Sequence, residues 1–133
     1  MDRIIESFPA RCDGDLYFTE KGVAYQADMG NIIQYDDDYF NKCLSYEDQE
    51  IALKINEGRI GMVERHHQGL VLDIGIGSGE FIKKRQFTRG YDINPTAVKW
   101  LKDSGLYSDR FMDFTAFTLW DVLEHVPDPA VYF

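Results

Sequence analysis

Three glycines that alternate with other residues mark the segment with the clearest chemical signal. The segment reads Val71-Leu72-Asp73-Ile74-Gly75-Ile76-Gly77-Ser78-Gly79. Its apolar start is typical of a buried parallel strand, and a short helix is predicted from about residue 79 to residue 86. Glycines in such a turn let the chain bend tightly and bring a ligand against backbone N–H groups. Asp73 is expected at the carboxyl end of the strand, where ligands of open α/β sheets bind.

A second carboxylate follows at the end of the next predicted strand. That strand is Arg89-Gly90-Tyr91-Asp92-Ile93, and Asp92 lies 92 − 73 = 19 residues after Asp73. A carboxylate at this position can accept hydrogen bonds from both hydroxyls of a ribose. The glycine turn and Asp92, in a strand–helix–strand order, together predict a site for an adenosine-type ligand.

Charge distinguishes the two ligand classes that share this layout. Dinucleotide enzymes use a G-x-G-x-x-G turn and aim a helix N-terminus at a pyrophosphate. A negative charge at Asp73 would oppose a phosphate, whereas S-adenosylmethionine carries a sulfonium, an ammonium and no phosphate. The residues therefore favour S-adenosylmethionine. An NAD-type oxidoreductase and a non-catalytic nucleotide-binding or assembly module are the alternatives.

Three blocks in order carry a resemblance to a known family. They are residues 73–79, residues 90–95 and Leu119-Trp120-Asp121-Val122-Leu123-Glu124-His125-Val126-Pro127-Asp128-Pro129. They resemble class I S-adenosylmethionine-dependent methyltransferases of the small-molecule type, over roughly residues 60–133. The resemblance implies a Rossmann-like parallel sheet and methyl transfer to an O, N or C atom of a small-molecule acceptor.

The resemblance also implies roles for individual residues. The methionine part of the cofactor would be cradled by Asp73, Gly75, Gly77 and Gly79. Asp92 would hold the ribose hydroxyls, and Ile93 would pack on the adenine. Trp120 and Asp121 would line the methionine and sulfonium end.

A cluster of polar residues follows Trp120 and allows three interpretations. Glu124 and His125 could simply orient the loop. His125 could act as a general base, since histidine suits proton transfer near neutral pH. Asp121, Glu124 and His125 are weak candidates for a divalent metal, because a hard ion requires more oxygen ligands than one short segment supplies.

Residues 1–45 are predicted to form an N-terminal hairpin and acidic segment that could act as a lid. The hairpin strands are residues 16–19 and 23–26, joined by a turn with Gly22. The acidic triplet Asp36-Asp37-Asp38 predicts a solvated turn or a helix start.

Residues 46–133 are predicted to form the S-adenosylmethionine-binding half of the Rossmann-like domain. A helix is expected to begin at Ser45, its N-cap, and to end near His66. Its buried stripe would be Ile51, Ile55, Met62 and Val63.

Asn94 is predicted to cap another helix, with Pro95 at its first position.

The third strand expected in the family is reduced to residues 106–113, where Asp109 or Asp113 would contact the adenine. A further strand is predicted over residues 114–120, and another helix would open at Asp128-Pro129.

Composition narrows the class of protein. The 133 residues carry 14 Lys and Arg against 23 Asp and Glu, a net charge of −9. This acidity argues against nucleic acid as a partner, which a basic face would bind. No apolar run approaches the roughly 20 residues of a membrane span. Two cysteines, Cys12 and Cys43, favour a reducing, cytoplasmic location.

The resemblance finally implies three more sheet strands beyond residue 133. We therefore expect a domain that is incomplete at its C-terminus, either a fragment of uncertain activity or a short form. A short form could cover the open sheet edge by pairing with another copy in a homo-oligomer.

Overall fold

The chain divides into two compact units. The computed structural model describes residues 4–9, 15–20, 24–26, 36–45 and 50–126. One unit comprises Met1–Ile33 and Asp121–Phe133, and the other comprises Gln34–Trp120. In the described ranges no helix is long and apolar enough to cross a bilayer. Cys12 and the predicted helix at Asp128-Pro129 lie outside the described residues.

The first unit contains a three-stranded antiparallel sheet. Its strands are β1 (Ile4–Pro9), β2 (Asp15–Thr19) and β3 (Ala24–Gln26), in the order β1-β2-β3. The β2–β3 pairing, with Tyr17 opposite Tyr25, confirms the predicted hairpin. Strand β1 was not predicted. A short 3₁₀ helix, Leu123–His125, also belongs to this unit.

The second unit is built on a small parallel sheet. Its strands are β4 (Val71–Ile74), β5 (Thr88–Tyr91) and β6 (Phe117–Thr118), in the order β5-β4-β6. Beyond β5, a single parallel bridge joins Gly90 to Tyr107. The described chain is thus a mixed helix and strand structure, compatible with the predicted α/β class.

One sequence prediction for this sheet needs adjustment, and another agrees with the structure. The strand predicted over residues 114–120 is only two residues long, because it pairs with β4 only through Leu72 and Asp73. The bridge at Tyr107 lies within residues 106–113, where the sequence predicted a reduced third strand.

Besides a 3₁₀ helix, Phe111–Asp113, four α-helices accompany the strands in the described part of the second unit. They are α1 (Asp37–Ser45), α2 (Glu50–His66), α3 (Glu80–Lys84) and α4 (Pro95–Asp103). The start of α4 is as predicted, because Asn94 Oδ1 accepts a hydrogen bond from Thr96 N at 2.8 Å and Pro95 occupies the first turn. The acidic triplet begins α1, where Asp36 Oδ1 accepts from Tyr39 N at 3.0 Å.

The prediction for the long helix was wrong in two respects. Ser45 ends α1, its hydroxyl donating to Lys42 O at 2.6 Å, and does not cap α2. Three members of the predicted buried stripe are exposed, Ile51 by 67%, Ile55 by 48% and Met62 by 49%. The buried residue of α2 is Asn56, whose side chain donates to Ala52 O at 3.1 Å. Apolar residues occur on more than one face of this helix, so spacing alone did not identify the packed face.

A cluster of buried apolar residues joins α1, α3 and α4 to the sheet. Its members are Phe40, Ile76, Ile82, Ala97 and Leu101. Gly90 in β5 faces this cluster, and a Cβ there would lie 2.6 Å from both Ile82 Cδ1 and Leu101 Cδ2. Only a residue without a side chain fits between β5 and the helices.

At the opposite end of the sheet from the glycine turn, Arg85 ties the strand starts together. It is 3% exposed. Its Nη2 donates to His67 O at 3.0 Å and to Gly69 O at 3.2 Å, and its Nη1 donates to Thr88 Oγ1 at 3.2 Å. One buried guanidinium therefore connects the segment before β4 to the first residue of β5.

The packing around Gly90 yields a paired stability test. Gly90→Ala should lower the free energy of unfolding by about 1–3 kcal/mol, because the added methyl overpacks the cluster. Gly58→Ala, in α2, has no atom within 4 Å of the added Cβ. It should raise stability by about 0.5–1 kcal/mol, since glycine is a poor helix former. Urea unfolding of both variants checks this, and equal effects would contradict the packing.

Candidate functional site

The predicted glycine turn joins β4 to α3 and has the backbone geometry that requires glycine. The φ angles of Gly75, Gly77 and Gly79 are 74°, 54° and 78°. Residues that carry a side chain rarely adopt this left-handed backbone conformation. At Gly79 an added Cβ would also lie 2.9 Å from the ring of Trp100. The turn thus depends on glycine through its backbone, and at Gly79 also through its packing.

Asp92 lies directly after β5 and bonds to the turn. Its Oδ2 accepts from Ile76 N at 2.9 Å, and its Oδ1 accepts from Asn94 N at 2.8 Å. The carboxylate therefore positions the glycine turn and the start of α4 together. Each carboxylate oxygen has two lone pairs, so these bonds leave capacity for hydroxyl donors of a ligand. Ile93, the next residue, is 70% exposed and presents an apolar side chain beside Asp92.

Asp73 is a buried group in this structure. It is 1% exposed, and its Oδ1 accepts from the Thr118 hydroxyl at 2.6 Å. Burial raises the pKa of Asp73 to about 7; the Thr118 hydrogen bond and the charge of Arg59 lower it, and the charge of Asp92 raises it. That Asp73 cradles the methionine part of a cofactor stays a prediction, and it concerns a group that is buried in this structure. Its side chain links β4 to β6 through the Thr118 hydroxyl.

Trp120 lies two residues after β6 and brings together residues from two helices. Its ring meets the ring of Phe81, in α3, edge to face with centroids 5.6 Å apart. The guanidinium carbon of Arg59, in α2, lies 5.1 Å from the centroid of the Trp120 ring. Trp120 was predicted from the sequence to line the site, whereas Arg59 was not among the predicted residues. No motif signalled Arg59, because its helix precedes all three blocks.

The remaining predicted residues are placed as follows. Asp121, with a φ of 54°, follows Trp120 directly, while Glu124 and His125 are exposed in the 3₁₀ helix of the first unit. Among the described residues no group of three His, Cys, Asp or Glu side chains could hold a metal ion. Asp113 is exposed and pairs with Arg110 Nε at 3.0 Å.

Comparison with known proteins identifies no relative of this chain. No protein-family model, no curated protein and no solved structure matches the chain.

The burial of Asp73 predicts a specific pH dependence of stability. Because its pKa is raised from 3.8 to about 7, the folded chain keeps a proton that the unfolded chain releases between these values. Relative to Asp73→Asn, the free energy of unfolding should fall by up to about 1.4 kcal/mol per pH unit as the pH rises from about 4 to 7. Denaturant unfolding at several pH values measures this difference.

A second variant sharpens the test. Thr118→Val removes the hydrogen bond that lowers the pKa of Asp73. The fall in the free energy of unfolding should therefore continue to higher pH in this variant. Stability profiles of the native chain and Asp73→Asn that run parallel across this range would contradict a buried, protonatable Asp73.

Proposed function

We propose that the unit Gln34–Trp120 binds S-adenosylmethionine and serves methyl transfer to a small-molecule acceptor. The observation that carries the proposal is the Asp92 carboxylate, which bonds to Ile76 N in the glycine turn at the edge of the sheet. A glycine turn and an acidic residue placed together at strand ends suit a ribose with an adenine beyond it. The exposed side chain of Ile93 would pack on that adenine.

The order of the strands supports the same location. Counting the bridge at Tyr107, the order is Tyr107, β5, β4, β6, which corresponds to the 3-2-1-4 order of doubly wound α/β sheets. In such sheets ligands bind outside the carboxyl ends of the strands at the point where the order reverses. That point lies between β4 and β6, flanked by the glycine turn and by Trp120. A class I methyltransferase fold is our interpretation of this sheet.

Charge favours a cationic ligand over a dinucleotide. Asp92 bonds to the turn, and Asp73, in the strand that leads into the turn, adds a negative charge when it is ionised. A pyrophosphate would bring further negative charge into this region. The repulsion between these like charges would weaken its binding, except where salt screens them. The sulfonium and ammonium of S-adenosylmethionine would instead be attracted, and a cation near Asp73 would favour its ionised form.

The methyl transfer itself requires little from the protein beyond orientation. The bound sulfonium supplies an activated methyl group, and an in-line displacement depends mainly on proximity. The residues of this chain would hold the ribose at Asp92 and set the charge around the turn. For acceptors that must lose a proton, His125 stays a prediction of the general base that rests on residue type alone.

Calorimetric titration with S-adenosylhomocysteine tests the proposal. We expect saturable binding by the native chain and a weakening of about 1–3 kcal/mol in Asp92→Asn, because charge-assisted hydrogen bonds to the ribose are lost. Asp103→Asn, an exposed position at the end of α4, is the matched control and should bind as the native chain does.

Three results would contradict the proposal or a part of it. A folded sample that binds no S-adenosylhomocysteine at millimolar ligand would remove the cofactor assignment. Saturable binding of NAD in its place would favour the oxidoreductase alternative. Equal affinities of the native chain and Asp92→Asn would show that Asp92 does not hold the ribose.

A further inference from the structure

Three exposed apolar side chains of α2 share one face of the helix. Ile51 is 67% exposed, Ile55 48% and Met62 49%. With Gly58 they occupy positions i, i+4, i+7 and i+11, which fall within about 60° of one another at 3.6 residues per turn. In the described part of the chain, nothing lies within 4 Å of a Cβ added at Gly58. These four residues, here called the α2 stripe, therefore face open space.

Other faces of α2 already attach the helix to its unit. Asn56 is 8% exposed, the guanidinium of Arg59 lies over the Trp120 ring, and α2 packs against α3. The α2 stripe takes no part in these contacts. Contiguous apolar side chains on an exposed face bury their surface only when another molecule or segment covers them. The stripe thus has the form of an interface.

The α2 stripe is complementary to itself when two copies of the helix run antiparallel. Ile55 and Gly58 are equally far from the midpoint of the stripe, so a twofold axis there places each Ile55 opposite Gly58 of the second copy. A large side chain then meets the residue that has none, which lets the two backbones approach closely. The outer pair, Ile51 and Met62, is related by the same axis, and the unbranched methionine can adapt to the isoleucine.

Charge favours a second copy over other partners of the stripe. The whole chain carries a net charge of −9, so most of its surface would repel another copy. The charges of α2 cancel, because it carries three acidic and three Lys or Arg residues, namely Glu50, Lys54, Glu57, Arg59, Glu64 and Arg65. Lys54, beside the stripe, is compensated within its own helix by Glu50 Oε1 at 2.5 Å. Two α2 helices can therefore meet without the repulsion of the whole chain, and a strongly acidic or basic partner would gain no net attraction.

We propose that the α2 stripe is the interface of a twofold-symmetric homodimer, in which the α2 helices of two copies pack antiparallel with each Ile55 on Gly58 of the other copy. This interface joins helices, unlike the sheet-edge pairing expected from the sequence, and it does not depend on what the glycine turn binds. One helix pair buries less than the roughly 1,200 Å² of a standard interface. The dimer should therefore be weak, with a Kd on the order of 100 µM.

Sedimentation equilibrium of the full chain, from about 10 µM to about 1 mM, measures this Kd. The native chain should change from monomer to dimer across this range. Ile55→Glu should raise the Kd at least about tenfold, because each copy would bring a charge into an apolar contact. Ile51→Glu, at a still more exposed position, should act in the same direction.

A matched variant and a contact measurement control the test. Met112→Glu places the same charge at an apolar residue that is 96% exposed outside α2, and it should leave the Kd unchanged. Circular dichroism and thermal melts establish that each variant is folded. Isotope-filtered NOE spectra of mixed labelled and unlabelled chains should show contacts between copies from Ile55 to Gly58 and from Ile51 to Met62.

Four results would overturn this interface. The native chain could stay monomeric over the whole range, or Ile55→Glu could dimerise as the native chain does, which would place the contact on another surface. Equal weakening by Ile55→Glu and Met112→Glu would show that association follows overall charge and not the stripe. Contacts between copies that join Ile55 to Ile55 would show a parallel pair, which the proposed symmetry excludes.

Discussion

The carboxylate of Asp92 holds two backbone segments at once, and the geometry of the candidate site depends on it. One oxygen bonds to Ile76 N in the glycine turn and the other to Asn94 N at the start of α4. Asn94 in turn donates from its amide to Asp36 O, just before α1. The turn, α4 and the start of α1 are therefore linked through one short segment. A ligand hydroxyl that reaches Asp92 would meet a group already oriented by the fold, which reduces the ordering cost of binding.

Asp73, unlike Asp92, is a carboxyl group that is almost completely buried. Complete burial of a carboxylate is expensive unless it is bonded or paired. The Thr118 hydroxyl provides one bond and the charge of Arg59 offsets part of the penalty, yet the pKa remains raised to about 7. The group stands near half-protonation at neutral pH. The charge below the glycine turn therefore depends on pH and on any cation bound nearby.

Features that depend on local chemistry could be predicted from the sequence. The glycine turn follows from residues that tolerate positive φ, and the start of α4 follows from a capping asparagine and a proline. Asp92 was placed correctly at the end of a strand because strand and turn signals lie within a few residues of it. The hairpin in the first unit had similar local signals.

Features that depend on long-range packing could not be predicted. The packed face of α2 is selected by its neighbours, and the exposed Ile51 and Ile55 are as apolar as any core residue. Arg59 reaches the Trp120 ring only because α2 packs beside α3, so no spacing along the chain indicates this contact. The burial of Asp73 depends on the pairing of β4 with β6, a strand only two residues long.

A residue-resolved NMR titration of the ¹⁵N-labelled chain with S-adenosylhomocysteine tests the central claim most directly. The account predicts that amide shifts concentrate at Gly75–Gly79 and at Asp92 and Ile93, together with the indole N–H of Trp120. No shift changes at saturating ligand, or changes that avoid the glycine turn and Asp92, would contradict the assignment of this site.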